Sequence, residues 1–249
     1  MTISTQAHDL KPLSTAAKNR YIDISELMKP RQLNDLTLSK FIINDLKRRI
    51  TTNSIENMLF YGKPGTGKSS AANLIMSEMT EWTQRSLDAR DGIGPVTFQE
   101  KIAPYARNSF FSMNSRRVCF IDNVNYMSTK VRKELYRLIR DTSNTCRFIL
   151  AANYGGRDLE SPDMLRTVWF NTRPPRDIDV QAHIFHRYVS KLSEVGIHFD
   201  RKTLTEIVSA YFPNLQDIAN GVQNEFIGPR PCSASLRSSL RSLMRLGDE

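Results

Sequence analysis

A glycine-rich stretch from Gly62 to Ser69, GKPGTGKS, carries residue types whose spacing suits phosphate binding. It matches the pattern G-x-x-x-x-G-K-[ST] at every fixed position and lies between an apolar run and a helical pattern. Glycines allow tight turns that point successive backbone N–H groups at phosphate oxygens, at the N-terminus of the following helix. In such a loop Lys68 would reach the β- and γ-phosphates, and the Ser69 hydroxyl would help to hold Mg²⁺. An accidental glycine-rich turn is the alternative, but the flanking strand and helix patterns favour a nucleoside triphosphate site, formed by Gly62, Lys63, Pro64, Gly65, Thr66, Gly67, Lys68, Ser69 and Ser70.

A carboxylate that suits the metal follows a second apolar run. The segment Arg117–Asp122, RVCFID, has the pattern of a buried strand that ends in an acid. Magnesium is often held by one or two carboxylates together with substrate phosphates. We therefore predict that Asp122 supports the Mg²⁺ held by Ser69, through water, with a turn-forming aspartate as the alternative.

Short apolar runs alternate with helical patterns in the part of the chain that contains this loop. Such alternation predicts an α/β fold with a parallel sheet covered by helices on both faces. The predicted strands are NMLFYG (57–62), VCFID (118–122) and FILAAN (148–153), and the predicted helices are SKFIINDLKRRI (39–50), SSAANLIMSEMTEW (69–82) and STKVRKELYRLIRD (128–141).

A change in pattern near Pro174 and Pro175 predicts a domain boundary. Paired prolines neither continue a helix nor donate to a sheet, and from Asp177 onward the chain has mainly helical patterns. We therefore predict a flexible N-terminal segment over 1–20, a nucleotide-binding domain over 21–175, a helical lid domain over 176–227 and a basic tail over 228–249. The tail is predicted either as a short amphipathic helix or as a frayed terminus.

Composition favours a reduced, soluble, intracellular protein with a polyanionic partner. The chain has 249 residues and a formal net charge of +9, which suits nucleic acid or an anionic surface. It has no apolar run near the roughly 18 residues of a membrane span, and its first twenty residues lack a secretory apolar core. Cys119, Cys146 and Cys232 are too widely spaced to suggest a disulfide framework or a zinc site. We therefore expect no membrane partner.

An ordered set of segments resembles the small subunits of clamp loaders of the replication factor C type, which are AAA+ ATPases. Besides the loop, the segments are KPRQLNDL (29–36), LDARDGIGPVTFQEKIAPYA (87–106), IDNVNYMS (121–128), ELYRLIRDTSNTCRFILAANY (134–154), DMLRT (163–167) and YFPNLQDIANGVQ (211–223). The resemblance implies an AAA+ P-loop NTPase, with an αβα parallel sheet followed by a small helical lid. It also implies ATP and Mg²⁺ as cofactors and partners in neighbouring AAA+ subunits, as a homo- or hetero-oligomer, in DNA and in a sliding clamp.

The resemblance also suggests roles for individual residues. Asn153 stands where the family has the sensor residue that positions the attacking water. Arg166 stands where the family has an arginine finger that enters the neighbouring subunit's site, although its flanking residues differ from the family pattern. A guanidinium supplied in this way would offset charge that develops on the transferred phosphoryl group. The implied catalytic set is Lys68, Asp122, Asn123, Asn153 and Arg166.

Three positions depart from the family pattern. Asn123 stands where the family has the glutamate that polarises the attacking water, and an amide cannot accept a proton at neutral pH. Asn125 likewise replaces the second acid of that segment, and Gln216 stands near the place of a lid arginine. We therefore expect nucleotide binding to be retained better than turnover.

Basic residues cluster on the predicted helix after Asp122 and in the helical region before that strand. The resemblance implies that they follow the DNA phosphate backbone without reading sequence, whereas a solvated charged face is the alternative. The predicted DNA-binding residues are Lys101, Lys130, Arg132, Lys133 and Arg137.

The leading functional prediction is an ATP-dependent oligomeric switch on DNA, similar to a clamp loader, in replication. The residues after Phe226 are too few for the helical collar of that family, which keeps a collarless AAA+ regulator open, such as a helicase loader or a transposition targeting factor. A third reading is a structural subunit that binds ATP or DNA without hydrolysis and lends Arg166 to an active partner. Asn123 and Gln216 favour this last reading, whereas Lys68, Ser69 and Asp122 oppose it.

Overall fold

The computed structural model describes residues 22–107, 116–153, 167–174 and 178–228, with a parallel sheet at the centre. Its strands are β1 (Asn57–Tyr61), β2 (Thr83–Asp88), β3 (Arg117–Asp122), β4 (Cys146–Ala152) and β5 (Thr167–Asn171). They lie side by side in the order β2-β3-β4-β1-β5, and every pairing is parallel. The carboxyl ends of the strands therefore meet at one edge of the sheet, and this arrangement confirms the predicted α/β class.

Helices pack on both faces of the sheet, and three more described helices follow the last strand in the sequence. They are α1 (Ile24–Leu27), α2 (Lys40–Thr51), α3 (Lys68–Glu78), α4 (Pro95–Thr97), α5 (Ala103–Arg107), α6 (Thr129–Asp141), α7 (Ile178–Glu194), α8 (Arg201–Tyr211) and α9 (Leu215–Phe226), with a π-helix over Phe98–Ile102. Serine side chains fix two of the starts, because Ser39 accepts the N–H of Ile42 before α2 and Ser128 accepts that of Val131 before α6. Within the described residues, we find no helix of the length and apolarity that crossing a membrane requires.

The sheet separates two apolar layers, because alternate residues of a strand point to opposite faces. In β3, Val118 and Phe120 pack with α2 and α3, whereas Cys119 and Ile121 pack with α6 and the π-helix. All four side chains are buried. The burial of both faces explains the continuous apolar runs at 118–121 in β3 and 148–152 in β4.

The last three helices form a separate apolar cluster that also holds the start of the described chain. Buried side chains of α7, α8 and α9 pack around Ile24 of α1, which precedes the sheet in the sequence. The backbone N–H of Ile24 donates to Oε1 of the buried Gln223 at 2.9 Å. Thus α1 is tied to the helical unit by apolar packing and by a buried hydrogen bond.

We predict that Gln223→Ala lowers the free energy of unfolding by about 1–3 kcal/mol, because it leaves the buried N–H of Ile24 without its acceptor. Urea denaturation measures the change. Asn224→Ala is the matched control, since it removes an exposed amide from the next position of α9 and should cost less than about 0.5 kcal/mol. Equal losses in the two variants would contradict the role assigned to this buried hydrogen bond.

Candidate nucleotide-binding site

The glycine-rich loop joins the carboxyl end of β1 to the N-terminus of α3. Gly62 donates its backbone N–H to the carbonyl of Ala152 at 3.3 Å, which ties the loop to the end of β4. Gly67 is the N-cap residue of α3 and has a φ of +86°, a left-handed conformation that favours glycine. Because glycine offers no capping side chain, the first N–H groups of α3 stay available to an anion.

The side chain of Lys68 folds back under the loop. Its ammonium donates to the carbonyl of Lys63 at 2.6 Å and to that of Gly62 at 3.2 Å, and the residue is only 6% exposed. Burial lowers the pKa of Lys68 to about 8, although the negative charge of Asp122 opposes this shift. The loop thus contains a desolvated cation next to a helix N-terminus, and both features attract phosphate.

Two oxygen groups meet beside this lysine. The Ser69 hydroxyl donates to Oδ2 of Asp122 at 2.5 Å, and Oδ1 of Asp122 accepts the backbone N–H of Asn123 at 2.8 Å. A hydroxyl and a carboxylate are hard ligands of the kind that Mg²⁺ uses together with substrate phosphates. In the described part of the chain, no cluster of three or more His, Cys, Asp or Glu side chains suits a metal by itself. The donor set therefore fits a magnesium ion that shares its coordination with a nucleotide.

Amide side chains connect the ends of three neighbouring strands. Asn123, directly after β3, is buried and has a φ of +57°, a conformation that asparagine tolerates better than most residues. Its Nδ2 donates to Oδ1 of Asp88 at 3.0 Å, and its Oδ1 accepts from Nδ2 of Asn153 at 3.1 Å. The backbone N–H of Asn153 donates to Oδ1 of Asn125 at 3.1 Å. These bonds fix the orientation of the Asn123 amide.

A charged pair lies at the end of this network. The Arg90 guanidinium donates to Asp88 through Nε at 3.0 Å and through Nη2 at 2.6 Å, both to Oδ2. The Arg90 hydrogen bonds, together with that of Asn123, hold the pKa of Asp88 below its ordinary value, although partial burial opposes this. The Arg90 side chain is 60% exposed, so the pair lies at the surface of the site.

A cavity of about 550 Å³ lies between the loop and the helical unit. On the sheet side it is lined by Pro64, Gly65, Gly67, Lys68, Ser69, Ser70, Arg90, Asp122, Asn123 and Asn153. On the other side it is lined by residues of the segment around α1 and of α7 and α9, including Asp23, Met28, His183, Arg187, Tyr188, Leu215 and Gln216. Arg187 of α7 ties the helical unit to the segment around α1, because its guanidinium donates to the backbone carbonyls of Met28 and Asp35.

The start of α9 touches the glycine-rich loop. The backbone N–H of Leu215 donates to the carbonyl of Gly65 at 2.9 Å. A Cβ at position 65 would lie 1.6 Å from Oδ1 of Asn214, so only glycine fits this contact. Gln216 donates to the hydroxyl of Ser25 at 2.9 Å. The loop, α9 and the segment around α1 are therefore coupled by direct hydrogen bonds.

Comparison with known proteins identifies similar chains. The AAA family (ATPase family associated with various cellular activities) matches residues 58–172. The replication factor C small subunit of Sulfurisphaera tokodaii is 30% identical over 187 residues, which are 74% of this chain and 56% of the relative. That of Haloarcula marismortui is 29% identical over 80% of this chain and 60% of the relative. Replication factor C subunit 4 of Caenorhabditis elegans is 29% identical over 63% of this chain and 50% of the relative. The chain thus spans at most about three fifths of these relatives' length.

A solved structure shares the architecture. The Holliday junction branch migration motor RuvB of Thermotoga maritima superposes with a TM-score of 0.55 at 15% identity, over 78% of this chain and 63% of that chain. The fold is that of an AAA+ P-loop NTPase. The resemblance to replication factor C small subunits predicted from the sequence is confirmed as well.

The AAA+ fold brings most of the predicted nucleotide-binding and catalytic residues to one cavity and leaves others elsewhere. Gly62, Lys63 and Thr66 line a second cavity of about 620 Å³, together with Arg173 and Phe212. Thr66 also shares a hydrogen bond with the buried Thr172 at 2.7 Å. Arg166 lies outside the described residues, as do the predicted N-terminal segment over 1–20 and nearly all of the basic tail.

The predicted DNA-binding residues lie away from the cavity. Lys130, Lys133 and Arg137 are exposed on α6, Arg132 on the same helix is partly exposed, and Lys101 is exposed on the π-helix. A hydrogen bond between Gln99 and Glu134 at 3.3 Å connects the π-helix to α6. No ion pair joins any of these five cations to a described residue, so their charges face solvent.

Sequence reasoning missed two groups of residues at the site. The first is the Asp88–Arg90 pair at the end of β2. An acid at the carboxyl end of a strand is the available signal, but TQRSLD has no apolar run that marks it as a strand. The second is the opposite wall, which includes His183 and Arg187 of α7. Only the packing of the helical unit against the loop places these side chains there, and no motif predicts it.

We predict that affinity for AMP-PNP falls as the pH rises above about 8. Lys68 is charged in a complex with a polyanion but loses its proton from the free protein near this pH, so binding then requires proton uptake. Affinity should fall by up to about tenfold per pH unit above that value. Calorimetry in buffers of different ionisation enthalpy measures the proton taken up. Lys68→Arg is the control, because a guanidinium stays charged, and an equal fall in that variant would rule out Lys68 as the titrating group.

Proposed function

We propose that this chain is an ATP-dependent, oligomeric AAA+ switch that acts on DNA in the manner of a clamp-loader subunit. The observation that carries the proposal is the meeting of Lys68, Ser69 and Asp122 beside an anion-attracting loop, in a chain similar to replication factor C small subunits. The loop N–H groups and the Lys68 ammonium bind the triphosphate. The opposite wall of the cavity accommodates the nucleoside.

Magnesium fits the oxygen pair at the end of β3. Ser69 and Asp122 would hold the ion, and the ion would offset negative charge on the phosphates. The protein's own contribution is to keep these two oxygen groups together, within 2.5 Å of each other, beside Lys68.

Hydrolysis requires a positioned water and cations around the γ-phosphate. Asn153 lines the cavity at the end of β4, where its amide can orient water toward the phosphate. Lys68 offsets charge from within the chain, and Arg166 is the proposed residue offered to a neighbouring subunit. The oligomer is therefore part of the proposed active site.

The cations of α6 and the π-helix form the proposed DNA-binding surface. Four of the five side chains are exposed, Arg132 is partly exposed, and none forms an ion pair with a described acidic residue, so they can neutralise phosphates along a duplex. Such contacts are salt-dependent and largely independent of base sequence. Because α6 begins a few residues after Asp122, the proposed magnesium site and the proposed DNA-binding surface are close in the sequence. A sliding clamp is the further partner proposed by analogy with the named relatives.

The helical unit is the proposed lid. The contact from Leu215 to Gly65 links α9 directly to the phosphate-binding loop, so a change in the loop is transmitted to the helices. Gln216 lines the cavity but carries no charge for the γ-phosphate. A non-hydrolysing structural subunit is the second candidate, because Asn123 and Gln216 both lack the charges expected of an active site.

Turnover of ATP, with and without a primed duplex, tests the proposal. We predict DNA-stimulated hydrolysis by the wild-type chain and its loss in Lys68→Ala, because the desolvated ammonium that holds the β- and γ-phosphates is removed. Lys202→Ala, which removes an exposed cation from α8, is the matched control and should keep the wild-type rate. Binding of AMP-PNP without turnover by the wild-type chain would favour the structural subunit.

The DNA-binding surface predicts a change in salt dependence. If Lys133 and Arg137 each neutralise one phosphate, each alanine variant should reduce the slope of log affinity against log salt concentration by about 0.9. Fluorescence anisotropy of a labelled duplex measures this slope. Lys202→Ala removes the same charge from the helical unit and should leave the slope unchanged. A shared slope for all the variants would place the DNA elsewhere.

A further inference from the structure

The amide of Asn123 leaves the site without a proton acceptor at that position, and one neighbouring carboxylate can supply it. Hydrolysis transfers a proton from the attacking water, and an amide cannot take it at neutral pH. Of the acids that line the cavity, Asp122 is occupied by Ser69 and by the N–H of Asn123. Asp23 and Glu26 lie on the opposite wall, where Asp23 accepts the backbone N–H of Ser25 and Glu26 pairs with Lys29.

Asp88 lies directly behind two residues that line the cavity, Asn123 and Arg90, and hydrogen-bonds to both. It ends β2 in register with Asp122 at the end of β3, so both side chains leave the same edge of the sheet, about 5 Å apart at their Cα atoms. Oδ1 of Asp88 is 3.0 Å from Nδ2 of Asn123, and Asn123 lines the cavity beside Asn153. The Asp88 carboxylate, on the neighbouring strand, thus contacts the side chain of Asn123, the residue that stands at the position of the family's acid.

Arg90 occupies this carboxylate in the structure. It donates to both oxygens of Asp88, with Nε 3.1 Å from Oδ1 and Nη2 2.6 Å from Oδ2. The guanidinium also lines the cavity, and its side chain is 60% exposed, so solvent reaches the cation of the pair and weakens its attraction to the less exposed Asp88. A γ-phosphate in the cavity offers the guanidinium a more highly charged, bidentate partner.

We propose that Asp88 is the general base for ATP hydrolysis and that Arg90 masks it until a triphosphate binds. On binding, the Arg90 guanidinium moves from Asp88 to the γ-phosphate and frees Oδ2 of Asp88 to accept a proton, while Oδ1 keeps its hydrogen bonds from Asn123 and from the backbone N–H of Arg90. Water attacks the γ-phosphorus and forms a new P–O bond, while the bond from that phosphorus to the β–γ bridging oxygen breaks. The bridging oxygen keeps the electron pair and leaves as part of ADP, and Asp88 takes the proton of the water. This inference rests on the ATPase activity proposed above.

Replacement of the acid by its isosteric amide tests the base. We expect Asp88→Asn to lower kcat by at least about 100-fold while AMP-PNP affinity and thermal stability stay close to wild type. Asp88→Glu, which keeps a carboxylate, should retain at least about a tenth of the rate. Asp91→Asn is the matched control, because it makes the same change at an exposed acid of the same turn, and its rate should stay within about twofold of wild type.

The masking step has a separate measurement. Arg90→Gln should weaken AMP-PNP binding by at least about fivefold and leave ADP affinity nearly unchanged, because only the γ-phosphate receives the guanidinium. Equal effects on the two nucleotides would overturn the masking role. The assignment of Asp88 as the general base would be overturned by either of two results. One is turnover by Asp88→Asn that is close to that of Asp91→Asn, and the other is a loss of folding and nucleotide binding in Asp88→Asn that parallels its loss of turnover. If the wild-type chain binds AMP-PNP but shows no turnover, both the base and the proposed hydrolysis fail, whereas wild-type turnover unaffected by Asp88→Asn leaves the proposed function intact.

Discussion

The buried ammonium of Lys68 is the interaction on which the rest of the site depends. The charge is taken out of water at the N-terminus of α3, and the carbonyls of Gly62 and Lys63 accept its hydrogen bonds without neutralising it. Burial of the charge is unfavourable, and it lowers the pKa of Lys68 to about 8. A polyphosphate offsets the desolvation of this charge, because it places negative charge beside the lysine and offers acceptors to the N–H groups of the helix. The loop therefore favours a polyanion before any other part of the cavity contributes.

The parts of this arrangement that the sequence predicts are those with strong local signals. The fixed residues of the loop place Lys68 and Ser69, and burial on both faces makes β3 an apolar run that ends at Asp122. The strand β2 has no such run, because it lies at the edge of the sheet with half of its residues exposed and none buried, so the sequence does not mark Asp88 as the end of a strand. The strand β5 was missed as well, since its burial is intermittent and it directly precedes the prolines. Contacts between distant segments leave no periodic signal in the sequence.

The helical unit is coupled to the loop through the backbone rather than through a charged side chain. The N–H of Leu215 reaches the carbonyl of Gly65, and the close approach of Asn214 requires that this loop residue be glycine. The segment around α1 takes part as well, because Ile24 packs among the helices and Ser25 accepts from Gln216. A backbone contact of this kind responds to the conformation of the loop and not directly to the charge of the γ-phosphate. In the proposed switch, occupancy of the loop would therefore affect the position of the helices more directly than hydrolysis does.

Electrostatics offers a reason why an amide is compatible with position 123 in this chain. Asp88 and Asp122 already place two carboxylates on adjacent strands in register, and a third acid between them would add like charge beside a triphosphate. Asn123 instead donates to Asp88 and accepts from Asn153, so it links the two strand ends without charge. Arg90 offsets the charge of Asp88 in the structure, which keeps that carboxylate ionised. The second carboxylate thus lies on β2, where Arg90 offsets its charge, and the residue after Asp122 is a neutral amide, which limits the negative charge beside a bound triphosphate.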